Sequence, residues 1–173
     1  MTFTQQQRTY MIREQMIVPA VINFLLNAGI GWLIFRAHPR VPVWGESSFA
    51  QDALVTLFLL PFLICLIVTP LVRHELRKGK IAPLSWHRRD HPLLKLLPEN
   101  LLGRAVVLGL LGVVAGAPFV LGGLWLAGVQ TLSLACAVLL KGFYAAVLAA
   151  LVSPPIAVWV LADTSPIPLE TSA

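Results

Sequence analysis

The sequence predicts an all-α polytopic membrane protein with four transmembrane helices and both termini in the cytoplasm, and three observations predict it. Of its 173 residues, 57% are hydrophobic and only 12% charged, about half the ~25% charged share of an average soluble domain. The apolar residues are gathered into runs long enough to cross a hydrocarbon core of about 30 Å. Between the second and third runs, residues 73–104 hold eight of the thirteen Lys and Arg residues, whereas the apolar segments carry almost no charge. This basic loop is expected on the cytoplasmic side.

The spans are expected at residues 17–35, 53–72, 105–126 and 136–161, which together form one membrane domain over 17–161. Residues 1–16 mix Gln and Arg with Tyr10, Met11 and Ile12, as a short amphipathic cytoplasmic segment at the interface would. No cleavable signal peptide is expected, because the first apolar run is preceded by sixteen mixed residues and is itself long enough to span. In that first span Pro19 stands near the start, where a missing N–H does least harm. Asn23 and Asn27 are four residues apart and project from one face, which Gly31 continues. Buried amides need partners, so this face should point at another helix, either as packing contacts or as the lining of a polar path.

Residues 36–52 carry two basic and two acidic residues and so belong on the opposite side. Ser48 followed by Gln51 matches a capping box and starts the second helix at Phe49. Asp52 then falls in the first turn, where the helix dipole favours an acid. The second span holds Pro61 and Pro70, each of which removes a helical hydrogen bond. With Pro154 in the fourth span they are the candidate hinges. Gly79 and Pro83 stop the helix after it has run into water.

The basic loop reads as a surface that contacts anionic headgroups through Arg73, Arg77, Lys78, Lys80, Arg88 and Arg89, with Trp86 as an interfacial anchor. His87, Asp90 and His91 have the spacing of a metal-binding pair on a helix, but Arg88 and Arg89 put positive charge beside the would-be cation. No metal and no cofactor is expected. The net charge of +5 sits in short segments flanking apolar runs, so it sets topology and does not mark a nucleic-acid partner. Cys65 and Cys136 lie in or near spans and read as small apolar packing residues.

In the third span Gly112 and Gly116 form a GxxxG, with Gly109 a turn earlier, so another backbone can approach closely. The fourth apolar run, 131–161, is too long for one span and is expected to be interrupted, early near Lys141 and Gly142 and late at Ser153, Pro154 and Pro155. Residues 162–173 form a polar cytoplasmic tail. Leu66-Ile67-Val68-Thr69-Pro70 resembles Ala150-Leu151-Val152-Ser153-Pro154, a faint internal repeat. Lys141 is the one cation inside a span and therefore a functional candidate. It is expected to snorkel to the outer headgroups, with pairing to Asp52 or Glu46 as the alternative.

The stretches VPVWGESSFAQD, FLLPFLICLIVTPLVR and LVSPPIAVWVLAD, in this order, give the chain a resemblance to small four-helix bacterial inner-membrane proteins that carry no assigned activity and are sometimes loosely labelled permeases. The resemblance implies a multi-pass protein of the bacterial inner (plasma) membrane and supplies no site residues. Two functions are then expected: a small oligomeric transporter or channel, or a non-transporting accessory or scaffold subunit of a larger membrane complex. The partners are the lipid bilayer, anionic headgroups, and either further copies or that complex. No nucleophile stands beside a base and no pair of acids shares a span, so an enzyme is not expected.

Overall fold

The computed structural model describes residues 3–87 and 94–164. Four helical stretches in it are long and apolar enough to cross a membrane. The first begins with α1 (Gln5–Tyr10), passes without a break through a π-helical turn (Met11–Ile17), and continues as α2 (Val18–Phe35). The other three are α3 (Phe49–Arg77), α4 (Leu101–Leu126) and α5 (Leu134–Asp163). A 3-10 turn, Leu94–Leu96, precedes α4.

The helices start and stop where local chemistry satisfies their end groups. Ser48 accepts the Gln51 N–H at the start of α3, while the Gln51 side chain returns to Ser47 N–H, one residue before the cap. Gly79, with φ of +69°, ends α3: its N–H donates to the Leu76 carbonyl and the Lys80 N–H to that of Glu75. Gly128, at φ +64°, ends α4 in the same way on Trp125 and Leu124. Both are Schellman closures, which need the left-handed residue that glycine supplies without strain.

In cross-section the helices follow the order α2, α5, α3, α4: α5 packs on α2 and on α3, and α3 packs on α4. The central pair, α3 and α5, is accordingly the most buried, and the flanking helices present apolar faces outward, with Leu25, Leu33, Val114 and Phe119 well exposed. Glycines let the flanks approach. A Cβ at Gly112 would run into the Leu57 carbonyl oxygen and one at Gly109 would stand 2.8 Å from the Phe58 ring. The glycine stripe of the third span therefore packs within the chain, on α3. On the other flank, Gly142 of α5 lies against Phe24 of α2.

Several expectations are corrected. α5 runs unbroken for 30 residues, with Pro154 and Pro155 inside it. Its early limit comes instead from a strand, β2 (Thr131–Ser133), which pairs antiparallel with β1 (Arg40–Pro42). This ribbon joins the two connections at one end of the bundle, and Val41 within it and Val43 beside it are fully buried. Three-residue strands show no period, so nothing in the sequence signals them. Helix also precedes Pro19: the π turn lies immediately upstream, where the proline leaves the Gln15 carbonyl without its usual donor. The amino-terminal segment is helical and leads directly into the first span, as expected, but it also has a partner in the loop. Gln7 donates to the carbonyls of Ala82 and Pro83, and Tyr10 donates to Glu75, so it is docked on the start of the basic loop.

Candidate functional site

Among the described residues, two buried cations, one at each end of the bundle, are the chemically distinctive features. At the ribbon end, Lys141 of α5 is 1% exposed. Its Nζ donates to both carboxylate oxygens of Asp52, at 2.6 Å for Oδ1, and to Thr56 Oγ1 at 3.1 Å. Asp52 and Thr56 are one turn apart on α3, so the pair joins the two central helices across 89 residues of sequence. All three donors of the ammonium are thereby used. The Lys141 stem lies over Gly31 of α2, where a Cβ would stand 2.9 Å from Lys141 Cδ.

The snorkelling expected for Lys141 is thus not what the chain does. Phe49 is fully buried between Phe35 and Tyr144, with ring centroids 6.3 Å away on each side. Together with the ribbon this cluster closes that end of the bundle. The Asp52 carboxylate beside this cluster, 15% exposed, then offers the ammonium more than distant water. Its place in the first turn of α3 is as expected, but it serves the lysine as well as the helix dipole.

At the opposite end Arg104, in the first turn of α4, has no exposed surface. Its guanidinium lies 3.6 Å from the centroid of the Trp159 ring. One nitrogen donates to the carbonyls of Pro98 and Glu99, and another to Thr69 Oγ1. This is a cation–π contact combined with a carbonyl cap, and it ties the loop, α3, α4 and α5 together. Sequence reasoning counts Arg104 among the loop charges and misses the site. The only hint is an arginine directly before an apolar run, which also fits a headgroup contact.

The face that carries the asparagines turns towards another helix as expected, with Asn27 and Gly31 buried and Gly31 against Lys141 of α5, but the amides bond otherwise than expected. Asn23 Nδ2 donates to the Pro19 carbonyl and Asn27 Nδ2 to that of Asn23, both within their own helix. Asn27 is buried and Asn23 half-buried. Their amide donors therefore satisfy α2 itself and do not bond across to another helix. Of the candidate hinges, Pro61 is buried and meets Gly112, Pro70 faces outward, and Pro154 is half-buried; all three stand inside continuous helices.

Among the candidate headgroup contacts, Arg73 lies 3.9 Å from Asp163 and Lys80 2.8 Å from Glu75. The hydrogen bond to Glu75 holds the pKa of the Lys80 ammonium above its ordinary value. Arg77 and Lys78 are exposed at the same end. Arg88 and Arg89 lie outside the described residues, as do Asp90 and His91 of the histidine pair. Among the described residues no three His, Cys, Asp or Glu side chains converge.

No protein-family model matches the chain, and neither a curated protein nor a solved structure does.

Proposed function

We propose that the chain is a multi-pass protein of the bacterial inner membrane that acts as a non-transporting accessory or scaffold subunit, without catalytic activity of its own. The observation that carries this reading is the state of the ion pair. The Lys141 ammonium has placed all three donors on Asp52 and Thr56, so it works as a fastener between α3 and α5. The outer faces of α2 and α4 are left for lipid or for partner helices. In this reading the basic end is cytoplasmic and meets anionic headgroups, because positive charge in short connections is retained on that side.

A small oligomeric transporter or channel is the second reading. What favours it is that a charged pair stands inside an apolar helix at all, since such residues recur on ion and proton pathways. Gentle extraction of the tagged protein from its native membrane, with light scattering and mass spectrometry, separates the two. The accessory reading expects a stoichiometric foreign membrane protein. A discrete homo-oligomer free of other proteins would contradict it and favour the transporter.

A further inference from the structure

The faint sequence repeat at 66–70 and 150–154 has a structural counterpart that runs through the whole bundle. Its Thr69 and Ser153 are both buried, and each stands directly before a proline inside a continuous helix. The two helices concerned, α3 and α5, are the central pair and run in the same direction, from the ribbon to the loop end. Each follows a strand and opens on a serine cap, Ser48 or Ser133. Each strand in turn follows an outer helix, so one order of elements occurs twice: α2, β1, α3 and then α4, β2, α5.

The outer helices are exchanged between the two units, and their contacts match residue for residue. α2 packs on α5, and α4 on α3. In the first interface a Cβ at Gly142 would stand 3.1 Å from the Phe24 carbonyl oxygen and against the Phe24 ring. In the second, a Cβ at Gly109 would stand 3.0 Å from the Phe58 carbonyl oxygen and against the Phe58 ring. Adding 85 to 24 gives 109, and subtracting 84 from 142 gives 58. The same two shifts carry the contact of Gly31 with Lys141 onto that of Gly116 with Leu57. A shift of 84 also separates Thr69 from Ser153. The ribbon fits this relation, since β1 lies antiparallel to β2 with Val41 opposite Leu132 at its centre, and an antiparallel pair is the same read from either strand. Apolar composition explains a chance match of letters, but not two matched contacts on exchanged helices.

We infer that the chain is a tandem duplication of one membrane hairpin, folded as an intramolecular dimer about a two-fold axis along the bundle, and that Asp52 and Lys141 decide which hairpin pairs with which. Parallel repeats related by an axis along the membrane normal recur among membrane proteins. A duplicated hairpin has a choice of partner, because each copy could pair with its own kind in a neighbouring chain as well as with its sister. The shift of 84 puts Cys136 at the position of Asp52 and Leu57 at the position of Lys141. Two first hairpins would therefore bury the aspartate against a leucine, and two second hairpins the lysine against a cysteine. Either pairing leaves a buried charge without its partner, which is strongly unfavourable. The pairing of first with second satisfies both charges and so excludes the others. This holds whether the chain is an accessory subunit or a transporter.

The test moves the ion pair to its two-fold image in the full chain. Asp52→Cys, Thr56→Leu and Leu57→Lys on α3, with Cys136→Asp, Leu140→Thr and Lys141→Leu on α5, exchange the residues at equivalent positions and lay the lysine stem over Gly116 instead of Gly31. Changing α3 alone gives two lysines and no acid, and changing α5 alone gives two aspartates and no base. Each half-variant should lower the melting temperature in detergent by about 10 °C, and the full image should regain most of that loss. An image no more stable than the half-variants would overturn the pairing rule. A second measurement leaves the charges in place. In a cysteine-free chain, spin labels at Leu25 and Phe143, and in a second sample at their images Leu110 and Leu59, all four exposed, should give the same distance by double electron–electron resonance. Unequal distances would remove the axis and the inference with it.

Discussion

An ammonium group buried among apolar helices has three donors to place, and an arginine has five in a rigid fork; these requirements explain most of what is unusual at the residue scale. Lys141 meets its requirement with one aspartate and one threonine. Arg104 meets part of it with two carbonyls and a threonine and rests its flat face on Trp159. The two sites differ in what they tolerate. A lysine at position 104 would keep the charge but lose both the fork and the stacking. Arg104→Lys is therefore expected to lower stability by about 1–3 kcal/mol, the range for an unpaired buried polar group, read as a fall in melting temperature in detergent. A melting temperature equal to that of the unaltered protein would show the Trp159 contact to be incidental. Neither site is legible from sequence alone, though for different reasons. Asp52 and Lys141 can both be named, but the choice between pairing and snorkelling depends on whether the ribbon end is closed. Closure comes from Phe49 and from strands that carry no periodic signal.

At the scale of elements, the chain is more readable. The cap at Ser48, the stop at Gly79 and the close-packing glycines at 109, 112 and 116 all follow from one- or four-residue patterns, and each does in the structure what its chemistry requires. What spacing leaves open is the partner of the glycine stripe, and it is α3. Gly112→Ala should accordingly push α4 off Leu57 and Pro61, at a cost of about 1–3 kcal/mol for overpacking. Gly122→Ala, which meets nothing within 4 Å, should be neutral or slightly stabilising through helix propensity. Thermal unfolding of the two variants side by side checks this, and equal effects would refute the assigned interface. Prolines mislead for a physical reason: a helix packed on its neighbours tolerates the lost hydrogen bond, so Pro154 and Pro155 sit inside α5 where the sequence suggests a break. The docking of the amino-terminal segment on the basic loop is set by glutamines reaching carbonyls about 75 residues away. No local pattern contains it.

For the whole molecule, the row of helices places the ribbon and the basic loop at opposite ends. The proposed orientation then makes a direct prediction in a variant free of native cysteines. A cysteine placed at Ser47, which is exposed beside the ribbon, should react with a membrane-impermeant maleimide added to intact cells. One placed at Lys78 should react only after the cells are opened; the reverse pattern would invert the topology. The central claim, however, is that the buried pair fastens the bundle and does no transport, and a double-mutant cycle in the native assembly tests it most directly. Removing one member of a buried pair typically costs about 3–5 kcal/mol, whereas replacing both by apolar residues of similar volume is often neutral. Asp52→Leu and Lys141→Met should each lower the melting temperature sharply, and the double variant should regain both the melting temperature and the co-purifying partner. Additive losses in the double variant would contradict the fastener, as would recovered stability in a protein that no longer retains its partner.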